Sequence, residues 1–167
     1  MRVASRAIYR SRQFFGSVRP RVDAALRDEA FRLLSEPQRA LFASMTLRDQ
    51  QHCLAVYQRL RAQGEDDADL LVAALLHDAG KGRVALWHRV AYVLLAATAP
   101  RALDRVARAG DGPSWREALY RLRHHPQIGA RLAAGAGCSP ATVALIREDA
   151  AASGDGLAAL HAADEAV

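Results

Sequence analysis

The run from Leu70 to Leu76, Leu-Leu-Val-Ala-Ala-Leu-Leu, contains no polar position. A helix written this way is apolar around its whole circumference, and such a helix is stable in water only when other elements cover every side. The chain must therefore put this run at the centre of a layered arrangement and supply neighbours to wrap it. The run then stops at His77-Asp78, followed by Ala79-Gly80-Lys81-Gly82. An imidazole and a carboxylate at the inner end of a core helix need partners, because burying them unpaired is costly.

The rest of the chain reads as those neighbours. Apolar residues recur at helical spacing almost throughout, and no stretch alternates as a strand does. A first helix is expected over Val22 to Leu34. A short second one follows in "SEPQRALFASM", with Pro37 in its first turn. Thr46 caps a long third helix, with Asp49 in a capping-box-like role, and Gly64 ends it. The apolar helix runs from about Asp67 to Ala79. "RVALWHRVAYVLLAAT" gives a helix stopped by Pro100, and "PRALDRVARAG" a shorter one. Ser114 and Glu117 form a second capping box, opening a helix that reaches His124. Pro126 begins the next helix, which ends in the glycines at 135 and 137. Ser139-Pro140 opens another, to about Asp149. "AASGDG" reads as a loop, and a final helix runs from about Leu157 to the C-terminus. The expected fold is all-α, a single-domain bundle of about eight or nine helices over residues 22–167, preceded by a basic arm at residues 1–21.

Length and composition narrow the class. The chain has 167 residues, enough for one domain with a sizeable core. No apolar run is long enough to span a bilayer. Cys53 and Cys138 are far apart and belong to no CxxC, so a reduced, cytoplasmic setting is expected and a disulfide framework is not. Basic charge comes from 22 arginines and one lysine, a bias expected of a GC-rich bacterial genome. The arm holds Arg2, Arg6, Arg10, Arg12, Arg19 and Arg21 and no acid. It is suited to touching an acidic partner, a nucleic acid or a membrane surface. It has no apolar segment of the kind a secretory signal needs.

The His77-Asp78 pair suits a first-row divalent cation, since imidazole nitrogen and carboxylate oxygen are both ligands for such ions. Adjacent residues on a helix point about 100° apart, so the two share one ion most readily where the helix ends, and Gly80 is read as that ending. A structural hydrogen bond between the two accounts for the dipeptide equally well. Its company is His52 in "TLRDQQHCLAVYQRL", His124-His125 before Pro126, and Asp164 in "LAALHAAD". In the order His…His-Asp…His-His…Asp, these resemble the HD-domain metal-dependent phosphohydrolase superfamily, over roughly residues 46–167. "LLVAALLHDAGK" looks like that superfamily's defining segment, "HHPQIGARLA" like a segment supplying a further ligand, and the closing "L..AD" like its last aspartate.

The resemblance implies helices converging on a centre of one or two divalent ions, drawn from Mn, Fe, Co, Ni, Zn or Mg. His52, His77, Asp78 and Asp164 would be the core ligands and His125 the further one, with His124 as its substitute. It also implies hydrolysis of a phosphate ester or anhydride, of a nucleotide or related small molecule, by a metal-activated water. Asp78 or Asp164 would take the water's proton, and His124 or His125 would protonate the leaving oxygen. Lys81, with Arg121 and Arg131, is suited to phosphate. Three departures stand out. Ala79 follows the pair in place of isoleucine or valine. No GYP follows His124-His125, so the HD-GYP subgroup is not implied. The later histidine of two-metal members is absent, leaving Glu148 and Asp149, with Asp149 the candidate oxygen substitute. Two further readings are an HD fold kept as a binding or regulatory protein, and nucleic-acid or membrane association through the arm.

Overall fold

The computed structural model describes residues 23–110 and 114–167, so the expectations for the arm and for Val22 lie outside the described residues. Ten α-helices run in chain order: α1 Ala24–Ala30, α2 Glu36–Ser44, α3 Leu47–Ala62, α4 Ala68–Leu76, α5 Leu86–Thr98, α6 Pro100–Val106, α7 Trp115–Arg123, α8 His125–Gly135, α9 Pro140–Arg147 and α10 Ala150–Glu165. A 3-10 turn, His77–Lys81, follows α4. The all-α class holds among the described residues, with ten helices rather than eight or nine. Helices α5 and α6 stay separate across a single residue, because Ala99 leaves helical geometry (φ −145°, ψ 59°) before Pro100 starts the next.

The N-caps act as their chemistry requires, but the capping boxes expected at Thr46 and Ser114 do not close: Asp49 Oδ2 accepts from the Thr46 hydroxyl and Arg89, and Glu117 accepts from the Gly110 amide. Thr46 Oγ1 accepts from the Asp49 amide at 3.3 Å, Asp67 from Leu70 at 3.0 Å, Ser114 from Glu117 at 3.1 Å and Ser139 from Thr142 at 3.0 Å. Each satisfies an amide that helix geometry leaves without an internal acceptor. Three boundaries differ from expectation. Helix α1 gives way to turns after Ala30. The segment read as a loop before Leu157 is part of α10, which begins at Ala150 and kinks at Gly154. The third difference, at the end of α4, shapes the candidate site.

Every residue from Leu70 to Leu76 is buried, as the apolar run demands. Helix α4 packs against α2, α3, α9 and α10, and these supply most of the surrounding core, including Phe42, Val56, Leu60, Ile146 and Leu160. At its N-terminal end, Asp69 accepts hydrogen bonds from Ser139 and Thr142, pinning α4 to the start of α9. Helices α5, α6 and α7 form a separate tier with its own small cluster of Val84, Ala118 and Leu122, flanked by Tyr92.

Candidate metal centre

Helix α4 ends at Leu76, three residues before the expected Ala79, and the chain tightens into the 3-10 turn that carries His77 and Asp78. Gly80 was read as the residue that turns the chain. Its role is instead close packing: a Cβ there would lie 2.0 Å from the His125 carbonyl oxygen and 2.6 Å from the Gly129 nitrogen. The turn and α8 therefore touch backbone to backbone, which brings His125 beside Asp78. The change of direction falls on Gly82, at φ 64° and ψ −160°, a conformation that side-chain-bearing residues avoid.

Five side chains from four separate segments converge here. His52 on α3 and Asp164 on α10 share a hydrogen bond at 2.7 Å between Nε2 and Oδ1. His77 Nε2 lies 3.4 Å from Asp78 Oδ1 and 3.5 Å from Asp164 Oδ1. The His125 Nε2 is 3.9 Å from Asp78 Oδ1. His52, His77 and Asp78 each offer a ligand atom within 4.8 Å of the other two. Backbone carbonyls aim two of these rings. His77 Nδ1 donates to Ala74 O and His125 Nδ1 donates to Leu122 O, each at 2.9 Å, so in the neutral rings Nε2 is left as an acceptor facing the cluster.

The electrostatics follow from this crowding. Asp78 is 1% exposed. Burial works against its ionisation, but the Lys81 ammonium, then His77, His52 and His125, hold its carboxyl far below the usual carboxylate range. Burial also opposes ionisation of Asp164, which the His52 hydrogen bond and the His77 ring keep far below that range. Burial disfavours charge on His77, while the Cys53 sulfur and the Asp78 and Asp164 carboxylates lift its pKa well above the ordinary imidazole value. Burial and then the Lys81 charge push His125 down, towards the neutral form that can act as a ligand. Cys53 is buried against His77 Nδ1 at 3.8 Å, and burial raises its thiol pKa.

The set fits a cation by a specific test. His77 Nε2 and Asp78 Oδ1 are buried and neither has a hydrogen-bond partner. His77 Nε2 is 3.4 Å from Asp78 Oδ1 and 3.5 Å from Asp164 Oδ1. An imidazole nitrogen held this close to two carboxylates needs a positive charge among them: a proton on Nε2, which the raised pKa of His77 favours, or a metal ion in its place.

The remaining candidates divide. Lys81 donates to Asp78 Oδ2 at 2.6 Å, so its ammonium is engaged with the pair rather than free for phosphate. A cavity of about 240 Å³ opens beside the cluster, lined by His77, Asp78, Lys81, His125 and Asp164 and also by Glu148 and His161. His124 is not among its lining residues, and its ring packs on Tyr120, 4.5 Å between centroids. Asp149 does not reach the cavity either: it caps α10, accepting from the Ala151 amide at 3.2 Å. Arg131 is exposed on α8, outside the lining. Arg121 donates to the Lys81 carbonyl at 3.4 Å and lines a larger cleft, of about 850 Å³, with Trp87 and Trp115.

Glu148 and His161 line the cavity where the sequence pointed to Asp149 as the oxygen donor and to His161 only as a partner of Asp164. Glu148 sits in the left-handed region (φ 63°, ψ 37°) at the end of α9, where a residue with a Cβ is strained. Its Oε1 lies 3.8 Å from His161 Nε2. The spacing of His161 one turn before Asp164 was the available signal for its position.

Comparison with protein-family models, with curated proteins and with solved structures returns no match for this chain.

Proposed function

We propose that this chain is a metal-dependent hydrolase of phosphate esters or anhydrides, acting on a nucleotide or related small molecule. One observation carries the proposal: two buried groups without a hydrogen-bond partner, His77 Nε2 and Asp78 Oδ1, face each other at the edge of a cavity. The ordered set of His52, His77, Asp78, His125 and Asp164, and its resemblance to HD-domain phosphohydrolases, supports the choice of reaction.

His52, His77, Asp78 and Asp164 would hold the ion, with His125 as a further donor. When bound, such an ion supplies Lewis acidity towards a phosphoryl oxygen and makes a water acidic near neutrality. The chain's own residues supply the rest. Lys81 anchors one oxygen of Asp78 and so directs the other towards the cluster. Asp164, half-exposed and already hydrogen-bonded to His52, is placed to take a proton from an attacking water. His161 lines the cavity beside Glu148 and is the imidazole suited to return a proton to the leaving oxygen, a role His124 cannot fill from its position on Tyr120. Arg121, close to Lys81 and bordering the larger cleft, is the guanidinium suited to a phosphate.

The test is metal analysis of purified protein, before and after loading with manganese or nickel, for wild type and for His77→Ala combined with Asp78→Ala. Wild type is expected to retain about one ion or more per chain and the variant none; equal retention would overturn the proposal. Hydrolysis across a panel of phosphoesters and nucleotides then reads the activity.

A second reading, a metal-free binding or regulatory protein on the same fold, is favoured by the Lys81–Asp78 contact. That internal cation neutralises much of the buried charge without help. Under this reading, wild type binds no metal and the panel stays silent.

A further inference from the structure

Helix α5 is an anomaly in this fold. Its thirteen residues include none that is buried. Trp87 and Leu94 are each 59% exposed and Val93 50%, and Leu86 and Val90 are exposed to a lesser degree. Together they make one apolar stripe along the outer side of the helix, with a groove of almost purely apolar lining. Stripes of this kind on a soluble surface mark a place of contact.

The charge around the stripe narrows what can occupy it. Between Gly82 and Gly110 the chain carries five arginines, at 83, 89, 101, 105 and 108, against the single acid Asp104. Arg89 is spent on Asp49 and Asp104 on Arg123, which leaves Arg83, Arg101, Arg105 and Arg108 exposed. The remaining described residues carry 12 basic and 16 acidic side chains, the opposite balance. A second copy docking through this stripe would bring two basic tiers together. The chain's own arm, with six arginines and no acid, would meet the same repulsion. An anionic surface is the complementary occupant. No polar groups punctuate the stripe as an acidic protein partner would require.

We propose that α5 is an interfacial helix that seats this protein on the surface of a bilayer containing anionic lipids. Trp87, Leu86, Val90, Val93 and Leu94 enter the boundary between headgroups and acyl chains, and the exposed arginines of the same tier pair with lipid phosphates. No described helix is long and apolar enough to cross a membrane, so the contact is peripheral.

The full-length protein is sedimented with phosphatidylcholine vesicles, with and without phosphatidylglycerol, at low and high salt. Trp115→Phe makes Trp87 the sole tryptophan and thus a fluorescence reporter of the stripe. Wild type is expected to bind only the anionic vesicles, more weakly as salt rises, with a blue shift of Trp87 emission. The double substitution Val93→Asp, Leu94→Asp changes exposed positions, so it should keep the wild-type helical circular dichroism while lowering vesicle affinity about tenfold or more. The proposal is overturned if wild type ignores anionic vesicles, or if the double variant binds them as wild type does, which would assign the contact to the arm. It is also overturned if wild type is a dimer that the double variant dissociates.

Discussion

Helices α4 and α5 are both strongly apolar, yet seven of the nine residues of α4 are buried and none of the thirteen of α5 is. The difference is coverage rather than composition. Helix α4 is enclosed by α2, α3, α9 and α10. Helix α5 leans on α6 and α7 over a small cluster and is tied to the main body by one charged contact, Arg89 to Asp49 at 2.7 Å. One tier carries the stability of the fold and the candidate metal centre; the other is a thin, exposed platform beside it.

The sharpest way to break this contrast is at the glycines. Gly80→Ala places a methyl group against the backbone of α8, and the turn and helix must part to admit it. We expect a loss of more than about 4 kcal/mol in chemical denaturation, against under about 0.5 kcal/mol for Gly110→Ala, which meets open space. A leucine pair comes next. Leu75→Ala should cost about 3 to 4 kcal/mol through cavity formation, while Leu94→Ala should stay within about 0.5 kcal/mol. A third test cuts the tie between tiers. Arg89→Ala leaves the buried Asp49 carboxylate with the Thr46 hydroxyl but without its bonded cation, at about 3 kcal/mol, and hydrogen exchange should show α5 amides opening well before those of α4. The smallest expected effect is a gain: Glu148→Gly should raise stability by about 1 kcal/mol in thermal melts by releasing the left-handed strain.

These contrasts also separate what could be read in the sequence from what could not. The all-α class, the central place of residues 70–76 and the caps at Thr46, Ser114 and Ser139 rest on local chemistry within a few residues, and local chemistry is legible. The grouping of His52, His77, Asp78 and Asp164 was legible only through their order along the chain. What escaped depends on contacts distant in sequence or on a single torsion. Gly80 is required by His125 and Gly129, not by its own neighbours. The preference for His125 over His124 came only with the resemblance; its physical cause, the Leu122 carbonyl anchoring His125 and the packing of His124 on Tyr120, is not local. Glu148, and not Asp149, reaches the cavity because Asp149 is used as a cap. The bareness of α5 has no local signature, since its apolar pattern is that of a buried helix.

The contact between Lys81 and Asp78 has a further consequence. The chain brings its own counter-ion to its most buried carboxylate, so the turn can close around Asp78 without a cation from outside. The only lysine in the sequence thus makes the folding of this turn independent of what the surrounding solution supplies.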